Sequence, residues 1–223
     1  MKRKSVVIDV PVSGSRYHNF ALIIMIITVI CFILQISIPG FTEWFYLTST
    51  DAFVRPWMFL TAMFMHSPGG IWHIFFNMFG LLMFGPILEQ RIGSNKFLFL
   101  YLVGGIFANL ATFWYYPAAL GASGAIMAML GTLIVLMPKL KVLIYGVIPM
   151  PLWAAGILWF ILDATTVIMP NSTIGGLAHI AGMSFGLLFG WYLLNIKKDG
   201  TRKLKSKRDL SSDDVDELVK KYM

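Results

Sequence analysis

Residues 177–196 read LAHIAGMSFGLLFGWYLLNI, a stretch without a charged side chain. That length suits a helix crossing the ~30 Å hydrocarbon core of a bilayer. His179 stands in its first turn, and Gly182, Gly186 and Gly190 follow it at spacings of three, four and four. On a helix this spacing forms one stripe with almost no bulk beyond the imidazole. Small residues let membrane helices approach closely, so the stripe predicts a partner helix with a small face of its own. Gly124, Ala128 and Gly131 offer such a face in the apolar run from Ser123 to Pro138.

Composition agrees with lipid as the solvent. Of the 223 residues, 57% are apolar and 13% charged, with 18 Phe, 14 Met and 7 Trp. A soluble domain carries roughly 25% charged residues. The length suits one domain and leaves no room for a separate soluble catalytic module. The net charge of +7 invites a nucleic-acid reading, but the basic residues sit at the two ends and in short loops, so no nucleic-acid partner is expected. Cys31 lies among Ile30, Phe32 and Ile33 with no second cysteine to pair with, and reads as a small lipid- or helix-facing residue. About the first 18 residues are polar and the first apolar run lacks a small-residue cleavage motif, so that run reads as a retained span.

Six spans are expected, giving an all-α, polytopic six-helix bundle. They run over Phe20 to Ile38, Ile71 to Leu88, Phe97 to Tyr115, Ser123 to Pro138, Val142 to Ile168 with a true start near Leu152, and Leu177 to Ile196. The organisation is a cytoplasmic segment 1–19, a membrane domain 20–196 and a basic tail 197–223. Lys2, Arg3, Lys4 and Arg16 precede span one, Arg91 and Lys96 lie between two and three, Lys139 and Lys141 between four and five, and nine basic residues follow span six. The opposite loops hold only Arg55. By the positive-inside rule both ends face the cytoplasm, and a bacterial cytoplasmic (inner) membrane is the expected location.

The loop from Pro39 to Gly70 carries Phe41, Trp44, Phe45, Tyr46, Phe53, Trp57 and Phe59 and is expected to dip into the interface. The lysines and arginines up to Arg208 suit anionic lipid headgroups. Ser211 to Asp214, before Val215, Leu218 and Val219, suggests a short capped helix in an otherwise solvated tail.

Polar groups at membrane depth are costly and mark function by default. Spans two, four and six all run inward. His73 and Asn77 near the start of span two, Ser123 opening span four and His179 in the first turn of span six therefore share the outer half of the bilayer. His73 and Asn77 are four apart and project from one helix face. A lone membrane serine bonds a backbone carbonyl more often than it does chemistry, and a glycine stripe alone means packing. Four polar residues from three spans at one depth point to a site, and close approach of spans four and six would bring Ser123 towards His179, as a nucleophile and its base require.

These residues resemble a known family. Gly121-Ala122-Ser123-Gly124 is similar to the GxSG nucleophile motif of rhomboid proteases. Residues 178–186, AHIAGMSFG, resemble their AHxxGxxxG, and residues 73–77, HIFFN, their HxxxN. Residues 88–94, LEQRIGS, also resemble the family's sequence at the inner end of span two. The likeness covers about residues 20–195 in the family's order. It implies an intramembrane serine endopeptidase that cleaves transmembrane substrates near the outer face, with Ser123 as nucleophile and His179 as general base. His73 and Asn77, with the Ser123 backbone N–H, would form the oxyanion hole. Transmembrane proteins and membrane lipids are the implied partners, with no cofactor and no metal.

The implied dyad has no acidic third member, so backbone, water or packing is expected to set the His179 tautomer. Asp163, near the outer end of span five, is then expected to pair with a backbone group or face the wet site; a role as a triad carboxylate is the lesser reading, because the family it resembles uses a dyad. Glu89 and Arg91, some 16 residues beyond His73, are too far from the chemistry at 1.5 Å per residue and read as a structural pair or topology anchor. His66 reads as loop support. One departure stands in the loop: Trp57-Met58 replaces the family's Trp-Arg, with Arg55 nearby, which puts loop rigidity in question. Pro149 and Pro151 suggest mobility in span five and lateral entry beside it. A non-catalytic escort of the same fold is the main competing reading, and the presence of both Ser123 and His179 weighs against it. A transporter would need polar groups across the whole membrane, and a zinc protease an HExxH that is absent.

Overall fold

A computed structural model describes residues 17–144, 147–169 and 175–208, with backbone only at 144 and 197–208. Long apolar runs become helices because lipid leaves backbone polar groups no partner but one another. The helices are α1 (Phe20–Ser37), α2 (Phe41–Phe45), α3 (Met58–Thr61), α4 (Ile71–Ile92), α5 (Ser94–Thr112), α6 (Ser123–Leu136), α7 (Leu152–Ile168) and α8 (Gly176–Arg208). The chain is thus a polytopic, mostly helical membrane protein. Helices α1, α4, α5 and the segment Gly176–Ile196 of α8 are long and apolar enough to cross a bilayer, whereas α6 and α7 are shorter apolar helices. Helix α8 continues without a break past residue 196, the expected end of the membrane domain, to Arg208. The expected 211–214 cap and the basic residues Lys2, Arg3, Lys4 and Arg16 lie outside the described residues.

Helices α6 and α8 pack most extensively, and α5 lies against both. The predicted stripe explains this. A Cβ on Gly182 would strike the Gly124 carbonyl, one on Gly186 the Ala128 carbonyl, and one on Gly190 would lie 3.1 Å from the Thr132 carbonyl oxygen. From the other side, Gly131 meets the Met183 carbonyl, while Gly124 also meets the Ala108 methyl of α5. Thr132 Oγ1 adds a bond to the Gly186 carbonyl at 3.0 Å. The two backbones are in contact along the seam.

At the other end of the fold, Glu89 of α4 is fully buried. Its carboxylate accepts the Phe20 and Ala21 N–H groups at 2.9 and 3.0 Å and the Ser94 hydroxyl at 2.6 Å. It caps α1 from a neighbouring helix, where the first N–H groups have no intrahelical acceptor. The expectation for Glu89 is a structural pair with Arg91 or a topology anchor; the bonds shown are to α1 and Ser94. Gly93, at φ +86°, turns the chain from α4 into α5.

Two short pairings were not foreseen. Strand β1 (Leu47–Thr48) pairs with β2 (Ala118–Ala119), and β3 (Lys141–Ile144) pairs with β4 (Ile148–Pro151). The second lies just before Leu152, the expected true start of span five, and corrects only the mobility expected from its prolines. Pro149 and Pro151 belong to a hairpin strand, and Pro151 stands just before α7 rather than inside it. They end a loop and do not soften the helix.

The loop between α1 and α4 is folded around Leu47, Ala52, Met58 and Ala62, with Phe113 from the end of α5 completing the cluster. Met58, in the position of the family's arginine, is fully buried in it. Arg55 does not replace that arginine inside; it lies 4.3 Å above the Trp44 ring and 3.5 Å from Asp51. Trp57 Nε1 donates to the Trp44 carbonyl at 3.0 Å, and Asn109 Nδ2 of α5 to the Phe59 carbonyl at 2.8 Å. Apolar packing and these bonds hold the loop without the arginine.

Candidate active site

Ser123 is the first residue of α6. Its backbone N–H has no acceptor within the helix and stands at the positive end of the helix dipole. The turn that delivers it is tightly held. Gly121 has φ +120°, a conformation open to glycine, and donates its N–H to the Ala62 carbonyl at 2.9 Å. A Cβ there would lie 2.9 Å from His73 Cε1 and Nε2 and 3.9 Å from Ser123 Oγ. Gly121 therefore brings the His73 ring and the serine hydroxyl around one α-carbon.

Asn77 lies one turn below His73 and is 7% exposed. Its amide nitrogen donates to the His73 carbonyl at 2.8 Å, which leaves the second N–H of that amide for another acceptor. On α8, His179 follows Ala178, whose carbonyl oxygen lies 3.6 Å from a Cβ built on Gly124. Ser123 and His179 thus stand next to residues that touch across the α6–α8 seam.

His66 plays a larger part than loop support alone. It is fully buried, and Gln35 of α1 clamps its backbone: Oε1 accepts the His66 N–H at 3.0 Å and Nε2 donates to its carbonyl at 2.9 Å. Its Nε2 accepts the Ala122 N–H at 3.5 Å, and its ring lies 5.0 Å from that of His73. It therefore braces both the residue before the serine and the nearby imidazole. Burial, with His73 adding to it, pushes His66 down to about 3 from 6.5, so the ring is neutral and able to accept. Neither its burial nor its contact with Ala122, 56 residues away, is visible in the local sequence.

The expectation that no carboxylate stands near His179 is overturned. Asp163 Oδ1 of α7 lies 2.8 Å from His179 Nδ1, and both side chains are largely buried, at 11% and 14% exposed. The residue signal was present: Asp163 is the one charged side chain in the apolar run of α7, and such a group is expensive in lipid without a partner.

Residues 54–196 match the Rhomboid domain, well over half of the chain. The chain belongs to the rhomboid family. This rhomboid is 32% identical over 146 residues to rhomboid protein 1, mitochondrial, of Saccharomyces cerevisiae, covering 60% of this chain and 42% of that protein. It is 28% identical over 152 residues to the RHOMBOID-like protein 6, mitochondrial, of Arabidopsis thaliana, covering 67% and 48%. It is also 25% identical over 185 residues to the rhomboid protease GlpG of Yersinia pseudotuberculosis, covering 80% and 64%. The chain thus spans about half or less of the two mitochondrial relatives.

Proposed function

We propose that this rhomboid is an intramembrane serine endopeptidase that cuts transmembrane proteins near the outer face. The observation that carries the reading is the α6–α8 seam, which sets Ser123 and His179 beside residues in contact across two helices. His179 takes the Ser123 hydroxyl proton as Oγ attacks the scissile carbonyl. The resulting oxyanion is met by the Ser123 N–H, the free Asn77 N–H and His73, donors fixed before the reaction begins. His179 then passes its proton to the leaving amine, and water hydrolyses the acyl-enzyme with His179 again as base.

Several features support a wet site reached from the outside and the side. At 1.5 Å per residue, the 14 residues of α6 measure roughly 21 Å, less than the ~30 Å hydrocarbon core. With Lys139 at the inner face, Ser123 starts below the outer surface, and the folded loop closes over it. Helices α4 and α7 barely touch, which leaves room for a substrate helix between them. Cross-linking α4 to α7 is expected to stop cleavage of a membrane substrate; intact cleavage ends this entry route. The distribution of lysine and arginine supports a reading with both ends in the cytoplasm and suits anionic lipid near the tail; a bacterial inner membrane is the location we propose with it. Reporter fusions at residues 16 and 208 test that orientation.

The deciding experiment is labelling of detergent-purified protein with a fluorophosphonate, beside Ser123→Ala and His179→Ala. The parent is expected to label and both variants to stay dark. A folded parent that does not label favours a non-catalytic escort of membrane proteins. Labelling that survives Ser123→Ala assigns the wrong nucleophile.

A further inference from the structure

A carboxylate in an apolar helix needs a reason. Asp163 sits two turns from the start of the undescribed stretch 170–174, and His179 follows that stretch on α8. Chain separation is 16 residues, yet Oδ1 and Nδ1 lie 2.8 Å apart. The placement is built from more than this one contact. Gly176, three residues before His179, is packed onto the Asp163 carbonyl and the Thr166 hydroxyl so closely that a Cβ has no space. Thr166 Oγ1 in turn donates to the Asp163 carbonyl at 2.8 Å. The backbone of Asp163 is therefore held where α8 begins, and its carboxylate points to the imidazole.

A neutral imidazole has one N–H and one bare nitrogen, and the hydrogen bond made by one nitrogen sets the state of the other. A carboxylate at Nδ1 accepts and cannot donate while ionised. It selects the Nδ1–H tautomer and leaves the Nε2 lone pair free. Only that tautomer presents a basic nitrogen on the side of the ring away from α7. When the ring takes the serine proton, the same carboxylate, itself largely buried, faces the new positive charge at 2.8 Å, where the interaction is stronger than in bulk water.

We propose that Asp163 is a positioning residue for His179, making the machinery a Ser123–His179–Asp163 relay in orientation, rather than a dyad whose imidazole is set by packing. This rests on the protease reading above. Because Asp163 belongs to α7 and His179 to α8, the orientation of the base depends on the packing of those two helices.

The test uses the full chain in detergent and a fluorophosphonate at several concentrations, separating the maximal labelling rate from half-saturation, with thermal unfolding beside each variant. Asp163→Asn is expected to lose about 10²- to 10⁴-fold in maximal rate, the upper end being the cost of a wrong imidazole tautomer in a soluble serine protease. Half-saturation is expected to stay within a few-fold, and Asp163→Glu to recover part of the rate. A merely structural Asp163 would lower the unfolding temperature without this split or rescue. Asp163→Asn labelling at the parent's maximal rate, with Ser123→Ala dark, overturns the proposal and leaves the protease reading intact. A folded parent that never labels overturns both. Should Asp163→Asn not fold, the parent itself decides: ¹⁵N-histidine spectra showing His179 protonated at Nδ1 support the assignment, and protonation at Nε2 overturns it.

Discussion

Between α6 and α8 the backbones touch, whereas α4 and α7 barely meet. Along the first seam, Gly182 and Gly186 admit no side chain against the Gly124 and Ala128 carbonyls. On the second flank, Phe75, Phe76 and Phe79 of α4 and Ile157, Phe160 and Ile161 of α7 stay exposed within the protein. The difference is one of physics. Lipid tails are as apolar as leucine, so bulky apolar residues gain little by leaving lipid for another helix, and close backbone packing supplies the association. The protein is thus tightly packed beside Ser123 and His179 and loosely packed between α4 and α7, the contrast on which the proposed register and entry route rest.

The sharpest way to break this contrast is to put bulk into the seam. Gly186→Val drives a branched side chain into the Ala128 backbone. A loss of labelling beyond about 10²-fold and of 1–3 kcal/mol or more in stability is expected, measured by probe kinetics and thermal unfolding. Retained activity would mean that the seam does not set the register. Gly121→Ala probes the turn instead, since both the φ of +120° and the His73 ring oppose a methyl group. About a 10²-fold fall in labelling rate is expected, as for one lost oxyanion donor, with the smaller share of the effect in stability.

Away from the site, Glu89→Ala removes the cap on α1. It is expected to cost about 1–2 kcal/mol while the labelling rate of the folded fraction holds; a matching fall in rate would tie the inner end to the chemistry. His66 adds a pH signature. Its folded value of about 3 lies below the unfolded 6.5, so as pH falls below 6.5 the unfolded chain takes up the proton first. The stability contribution is full above that value and declines towards pH 3. His66→Gln should flatten the decline in the same unfolding series. On the loose flank, Phe79→Ala and Ile157→Ala are expected to change stability by no more than about 0.5 kcal/mol; a larger loss by either would show that the flank is packed after all.

Legibility followed the range of the interaction. The helix starts at Phe20, Ile71, Ser123 and Leu152 were readable because each apolar run is bounded by local breaks in polarity, proline or glycine. The stripe at 182, 186 and 190 predicted its partner at 124, 128 and 131, since helical spacing fixes a face. The pairing of 141–144 with 148–151 is not visible in the sequence, because Val142, Leu143 and Ile144 are apolar without showing a period. Met58 looked like a defect in the loop until the apolar cluster around it was visible.

By itself, then, the sequence determined the solvent, the helices and the tight seam, all consequences of side-chain character repeated at short spacing. Tertiary structure alone decided that His66 braces Ala122 across 56 residues and that Asp163 meets His179 across 16. Hydrogen bonds of that kind are set by how separate helices dock, and spacing along one helix holds no record of them.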